Sequence, residues 1–334
     1  MAKGAKIAIT GSESLLGRDI RDIAASAETG FALQLIAGGE EHAGTLTQLG
    51  DEPAIVSGLA PGAFAGVSAI ILTGSEESGR KALKFAGEQP DAAVIDLTFA
   101  AEDLPGARLR APAVESEEMP GGRLNVVAHP AAIALAIFIR RLQAHNPVRR
   151  SVVTVFAPAS EQGTQGIQEL QDQTLGMLSF KSIPKVVFDE QLSFNMLARY
   201  GKEAAASLEA SELRIDRHLA TLLALPGEGE GAPMPSLRVI QAPVFHGYSF
   251  SAWIEFEENP GVDAIESGLA SEWIDVRGVD TEPPTNVGHA GMDGIAVGAI
   301  EEDRNEPNAC WFWLVSDNLR LSAENAVALA RKFL

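Results

Sequence analysis

Lys6-Ile7-Ala8-Ile9-Thr10 runs directly into Gly11-Ser12-Glu13-Ser14-Leu15-Leu16-Gly17, and a helical apolar period continues to Ala25. This reads as strand, tight turn and helix. Further short apolar strands are expected at Ala32 to Ala37, Ala69 to Thr73, Ala93 to Leu97 and Leu124 to Ala128, with a helix from Glu76 to Glu88. Nearly continuous apolar strands alternating with helices predict a doubly wound, mostly parallel sheet, because such strands are covered on both faces.

From Ser151 the pattern changes. Ser151 to Ala157, Ser236 to Ala242, Gly247 to Phe256, Ile295 to Ile300 and Cys310 to Ser316 are β-rich and often alternating, which predicts one large mixed or antiparallel sheet. Helices at Gly166 to Leu178 and Leu208 to Ala224 are expected to cover one face, leaving the other for a partner. The Gly- and Pro-rich run Pro226 to Pro235 and the stretch Val279 to Asp293 read as loops. A last helix, Ser322 to Phe333, is expected to return to the first domain.

The chain has 334 residues, 46% of them hydrophobic, enough for two domains. Its formal net charge of -19 disfavours nucleic acid and anionic lipid as partners, since both are bound through basic surfaces. No apolar run reaches the ~18 residues of a membrane span, and the start lacks a signal-peptide pattern, so the expected location is the cytoplasm. The single cysteine, Cys310, can build neither an internal disulfide nor a thiolate metal site.

Seven motifs in order now carry a resemblance: the glycine turn, Val94 to Phe99 (VIDLTF), Ala128-His129-Pro130-Ala131-Ala132, Ser160 to Thr174 (SEQGTQGIQELQDQT), Ala242 to Ser249 (APVFHGYS), Val297 to Asp303 (VGAIEED), and Leu314 to Arg320 with Glu324 to Val327. The chain resembles the aspartate-semialdehyde dehydrogenase family of amino-acid biosynthesis. The resemblance implies a Rossmann-like dinucleotide-binding domain over residues 1–130 with 322–334, and a dimerisation domain with a large mixed sheet over 131–321. It also implies a homodimer.

The family's chemistry does not carry over. Ala132 stands at the position of the nucleophilic cysteine, Tyr248 at that of the general-base histidine, and Gln241 at that of the carboxylate-binding arginine. A tyrosine with an ordinary pKa near ~10 is a poor base at neutral pH. Ala157 matches the substrate-contacting glutamine, Ala100 and Ala101 the phosphate-binding arginine, and Ile215 the glutamate that holds the substrate amine. In the nucleotide turn, Gly11, Ser14 and Gly17 match three glycines, so a side chain stands in the middle. Glu40 and Glu41 follow the second strand, where carboxylates oppose a 2′-phosphate. Ser160-Glu161-Gln162-Gly163 replaces a small-residue turn beside the nicotinamide. The implied cofactor is therefore none, or a weakly held NAD, and not NADP. Gly11, Ser14, Gly17 and Gly163 remain as the vestigial cofactor positions.

Other features have plain readings. Cys310 in an apolar strand reads as a core thiol, His129 and His246 as hydrogen-bonded structural residues, and Glu115, Glu117 and Glu118 as a solvated acidic surface. Gly11 and Gly17 could hold a ligand or simply close the turn. Trp311, Trp313 and Trp253 suit a sheet or dimer face. The leading functional expectation is a non-catalytic homologue acting as a dimeric scaffold or regulator. The alternatives are an NAD-dependent oxidoreductase with Tyr248 as its acid, or the family's own activity. An unknown small ligand stays open.

Overall fold

The computed structural model describes residues 5–26, 30–39, 41–116 and 122–334. Its contacts divide into two units, residues 1–128 with 319–334, and residues 129–318. Glu40, Glu117 and Glu118 lie outside the described residues.

In chain order the first unit contains β1 (Ala5–Thr10), α1 (Leu15–Ser26), β2 (Phe31–Ile36), β3 (Leu46–Leu49), β4 (Glu52–Ile55), β5 (Ala69–Leu72), α2 (Glu76–Ala86), β6 (Ala93–Asp96), β7 (Ala107–Arg110) and β8 (Leu124–Val127). The strand order β2-β1-β5-β6-β8-β7 is parallel throughout, and β3 and β4 form a separate hairpin. The chain leaves β1 toward β2 and later resumes on the other side at β5. The β1 and β5 carboxyl ends therefore flank the switch point of the sheet, where open α/β sheets bind ligands. β5 and β6 are buried along their whole length, as the unbroken apolar runs require.

Glu115 corrects the expectation of a solvated acidic surface. Its side chain is 1% exposed and grips Arg110, which is fully buried, through Nε at 2.9 Å and Nη2 at 2.7 Å. Asn125 takes the third arm of the guanidinium at 3.1 Å, and the Ala111 N–H donates to the same carboxylate at 2.7 Å. A buried arginine needs a carboxylate that forms both bonds, and Glu115 is placed to supply them.

The second unit contains α3 (Pro130–His145), β9 (Val148–Ala157), α4 (Gly163–Leu178), α5 (Leu208–Leu223), β10 (Ser236–Gln241), β11 (Tyr248–Phe256), α6 (Val262–Leu269), β12 (Ile274–Arg277), β13 (Ile295–Glu302) and β14 (Ala309–Ser316). α7 (Asn318–Arg331) then re-enters the first unit. The sheet order is β10-β9-β11-β14-β13-β12, with parallel pairs at both edges and antiparallel pairs between, so the sheet is mixed.

The helical layer differs from the expectation. α3 packs on α5 and α6, and α5 packs on β10. α4 instead organises the segment that follows it: Glu169 accepts the N–H groups of Val186, Val187 and Phe188, while Gln173 accepts those of Leu192 and Ser193 and donates to the carbonyls of Pro184 and Glu190. On the opposite sheet face the register lines up Val152, Trp253 and Trp311 in one row and Thr154, Ser251 and Trp313 in the next. Val152 is 49% and Trp311 44% exposed, whereas Phe312, on the helical side, is 2% exposed.

Candidate functional site

α3 begins at the position where the family resemblance places a nucleophile. His129 caps the helix by accepting the Ala131 N–H at its Nδ1, 3.3 Å away, and Pro130 takes the first helical position, where its missing N–H costs nothing. Ala132 follows in the first turn with no exposed surface. A helix N-terminus would favour a thiolate there, but a methyl group fills the place.

The capping His129 is joined to two further residues of the second unit. Glu161 sits in the 3-10 turn Ala159–Gln162 that follows β9. Its Oε1 lies 2.9 Å from His129 Nε2, and its Oε2 accepts the Tyr248 hydroxyl. Because His129 Nδ1 accepts from Ala131, it is Nε2 that carries the proton toward Glu161. The His129 and Tyr248 rings meet edge to face at 5.9 Å, and the His129 N–H donates to His218 Nδ1 at 2.9 Å. Tyr248 is 1% exposed at the start of β11. The turn is held in place by Asn318 Oδ1, which lies 3.2 Å from the Ser160 hydroxyl and accepts the Gly247 N–H.

Electrostatics fixes the protonation states. Burial pushes the Glu161 carboxyl up, but the adjoining His129 imidazole, the Tyr248 hydroxyl and the charge of Arg214 together outweigh it, so Glu161 titrates below the ordinary carboxylate range. Burial drives Tyr248 well above the usual phenol value, and the Glu161 charge and hydrogen bond add to that shift. Tyr248 thus keeps its proton near neutrality and donates it to Glu161. A group whose folded pKa is depressed stabilises the fold above its unfolded pKa and stops doing so as pH falls through the folded value. Glu161→Gln should therefore lower the melting temperature at pH 7, with the gap to the unmodified chain closing below about pH 4.3. A gap that stays constant through that range would contradict the assigned charge state.

Gln241 is fully buried at the end of β10. Its amide donates to the carbonyls of Ala157 and Ala242, and its oxygen accepts the Tyr200 hydroxyl at 2.7 Å. Its hydrogen bonds thus run to the protein interior. Ala157 is 2% exposed, and Ile215 is fully buried in α5. Gly163 has a φ of 63° and opens α4. His246 is half-buried, and its carbonyl accepts from the Asn286 amide. Cys310 has no exposed surface, and burial pushes its thiol up to about 11, assisted by Glu302 and Asp303, so it is a protonated core thiol at neutral pH.

In the first unit, the turn between β1 and α1 is tight by construction. A Cβ at Gly11, whose φ is 68°, would lie 2.4 Å from the Thr73 carbonyl oxygen, and one at Gly17 would lie 2.2 Å from that of Gly11. Ser14 Oγ accepts the Gly17 N–H at 3.0 Å, capping α1, and lies 3.1 Å from Thr73 Oγ1. The Glu41 carboxylate accepts from the backbone N–H groups of both Glu13 and Gly38 at 2.9 Å. The Glu13 and Gly38 N–H groups, donors of the kind a dinucleotide's phosphates and ribose use, are thus taken by Glu41. Among the described residues no cluster of three or more His, Cys, Asp or Glu side chains could hold a metal ion, and no helix is long and apolar enough to cross a membrane.

The sequence singles out Ala132, Tyr248 and Gln241, and the second unit contains all three. It does not show that Glu161, read from the sequence as a bulky intruder in a small-residue turn, is the hub joining His129 to Tyr248. A carboxylate in place of a glycine was the available signal.

Comparison with known proteins agrees with this architecture. Residues 140–321 match the model of the semialdehyde dehydrogenase dimerisation domain. A USG-1 protein homolog of Pseudomonas aeruginosa is 34% identical over 212 residues, covering 61% of this chain and 60% of that protein. An aspartate-semialdehyde dehydrogenase of Rickettsia bellii is 25% identical over 350 residues, covering all of this chain and 99% of that one. The structure of a probable aspartate-semialdehyde dehydrogenase from Pseudomonas aeruginosa superimposes with a TM-score of 0.84 at 27% identity, covering 98% of this chain and 97% of the other. The match over residues 140–321 places the chain in the semialdehyde dehydrogenase family, as a member whose second unit carries a Glu161–His129–Tyr248 cluster where the family resemblance leads one to expect a nucleophile and its base.

Proposed function

We propose that this chain is a non-catalytic member of its family, a dimeric scaffold or regulator that has kept the architecture and lost the chemistry. One observation carries the reading. Position 132 supplies a buried methyl group where the resemblance expects a thiol, and the Tyr248 that stands in the place of the general base is hydrogen-bonded to Glu161, which also holds His129. Aldehyde oxidation through a thioester needs a thiolate and a general base together, and losing both removes the stabilisation of the same transition state twice over. No dinucleotide, or a weakly bound NAD, accompanies this reading.

Intact-protein mass spectrometry after incubation with aspartate semialdehyde and NADP or NAD tests it. The mass should be unchanged, and an acyl or hemiacetal adduct on the chain would overturn it. Restoring Ala132→Cys alone should not rescue turnover, because Tyr248 remains a held donor and Gln241 remains neutral.

The scaffold pairs through the open face of the second sheet. Val152, Trp253 and Trp311 in one row, with Trp313 in the next, present large apolar side chains on the face opposite Phe312, and such a face is stable in water when a like face covers it. Light scattering should give a mass about twice the 35.3 kDa chain. A monomer at micromolar concentration would contradict the pairing.

A further inference from the structure

We infer that the glycine turn of the first unit is an anion site whose ligand is the chain's own Glu41 carboxylate, which stands in for the phosphorylated ribose of a dinucleotide. The inference deepens the reading of a lost cofactor by naming what took its place.

The geometry is that of a bound anion. Glu41 Oε1 takes the Glu13 N–H from the loop after β1, and Oε2 takes the Gly38 N–H from the loop after β2, each at 2.9 Å. One carboxylate thus bridges two loops that meet at the carboxyl edge of the sheet, beside the switch point between β1 and β5. Charge-assisted bonds from two backbone amides are the contacts an oxyanion seeks at a strand-to-helix turn. A Cβ at Gly38 would lie 3.0 Å from Gly11 Cα, tighter than an ordinary contact, so the two loops pack closely at this point. The turn is closed from within as well. Ser14 consumes the Gly17 N–H, and the Glu13 side chain is turned away onto Arg21, which also binds the Ser12 carbonyl and Thr47. An exogenous anion must therefore displace Glu41. The internal carboxylate has the advantage, since it is tethered three residues from one of its donors and gives up no translational freedom.

Isothermal titration and thermal shift on the full chain, on Glu41→Ser and on Glu41→Gln, with NADP, NAD and inorganic phosphate as probes, test the inference. The unmodified chain should show no heat and no shift with any probe. Glu41→Ser should bind phosphate and NADP at least tenfold more tightly than the unmodified chain. Its melting temperature should rise by about 2 °C at ten times the dissociation constant. Glu41→Gln keeps the shape and one acceptor, and should gain less.

Three results would overturn the inference. NAD binding by the unmodified chain that Glu41→Gln abolishes would make Glu41 a ribose ligand instead. Folded variants that gain no affinity would show that the turn is no anion site, while leaving the absence of a cofactor standing. Rapid amide exchange at Glu13 and Gly38 in the ligand-free unmodified chain would show that the carboxylate does not hold them, and this measurement needs no variant to fold.

Discussion

Glu115→Ala should remove about 3–5 kcal/mol of stability, the cost of leaving a buried guanidinium without its counter-charge. Arg110 has no exposed surface, and Glu115 accepts from both its Nε and its Nη2, so truncating the carboxylate strands the two together. The Ala111 N–H loses its acceptor as well. The same ion pair is not indispensable as such. Arg110→Met combined with Glu115→Leu should recover most of the loss, because two apolar side chains of similar volume avoid the desolvation that the charges must overcome. Urea unfolding followed by circular dichroism measures both. A loss below about 1 kcal/mol for Glu115→Ala would show that water reaches the guanidinium and that the pair is not buried in solution.

Val152→Asp should convert the dimer to a monomer, with light scattering falling from about twice to once the 35.3 kDa chain mass. Val152 lies on β9 in register with Trp253 and Trp311, at the middle of the open face. A carboxylate there would be buried against its two-fold mate or against tryptophan, and an unpaired buried charge costs more than the contact of one valine can return. In the monomer the same position is half in water, so the fold itself should tolerate the change. An unchanged dimer mass would place the interface elsewhere. The first alternative is the segment after α4, where Phe180, Val186 and Phe194 are exposed on a backbone pinned by Glu169 and Gln173.

Particular elements show how far the sequence could be read. Lys6 to Gly17 declares its strand, turn and helix because apolar run, glycines and helical period follow one another without a gap, and the observed β1 and α1 lie where that order puts them. α3 was invisible for the opposite reason. Ala131 to Ile139 is apolar on every side and buried on every side, so there is no polar face to reveal a period. Glu115 reads as part of an acidic surface because its neighbours Ser116, Glu117 and Glu118 say nothing about a guanidinium folded under it. Ala132 and Gln241 were legible as substitutions within recognisable motifs. Glu161's role was not, since its partners lie 32 and 87 residues away and only the fold joins them.

The central claim, that catalysis is absent, is tested most directly by phosphate-dependent formation of NADPH or NADH from aspartate semialdehyde by the purified unmodified chain across neutral to mildly alkaline pH. The Glu161–His129–Tyr248 cluster and the methyl group at 132 predict a rate indistinguishable from a no-protein control. Turnover in the ordinary enzyme range of about 1–10³ per second would contradict it.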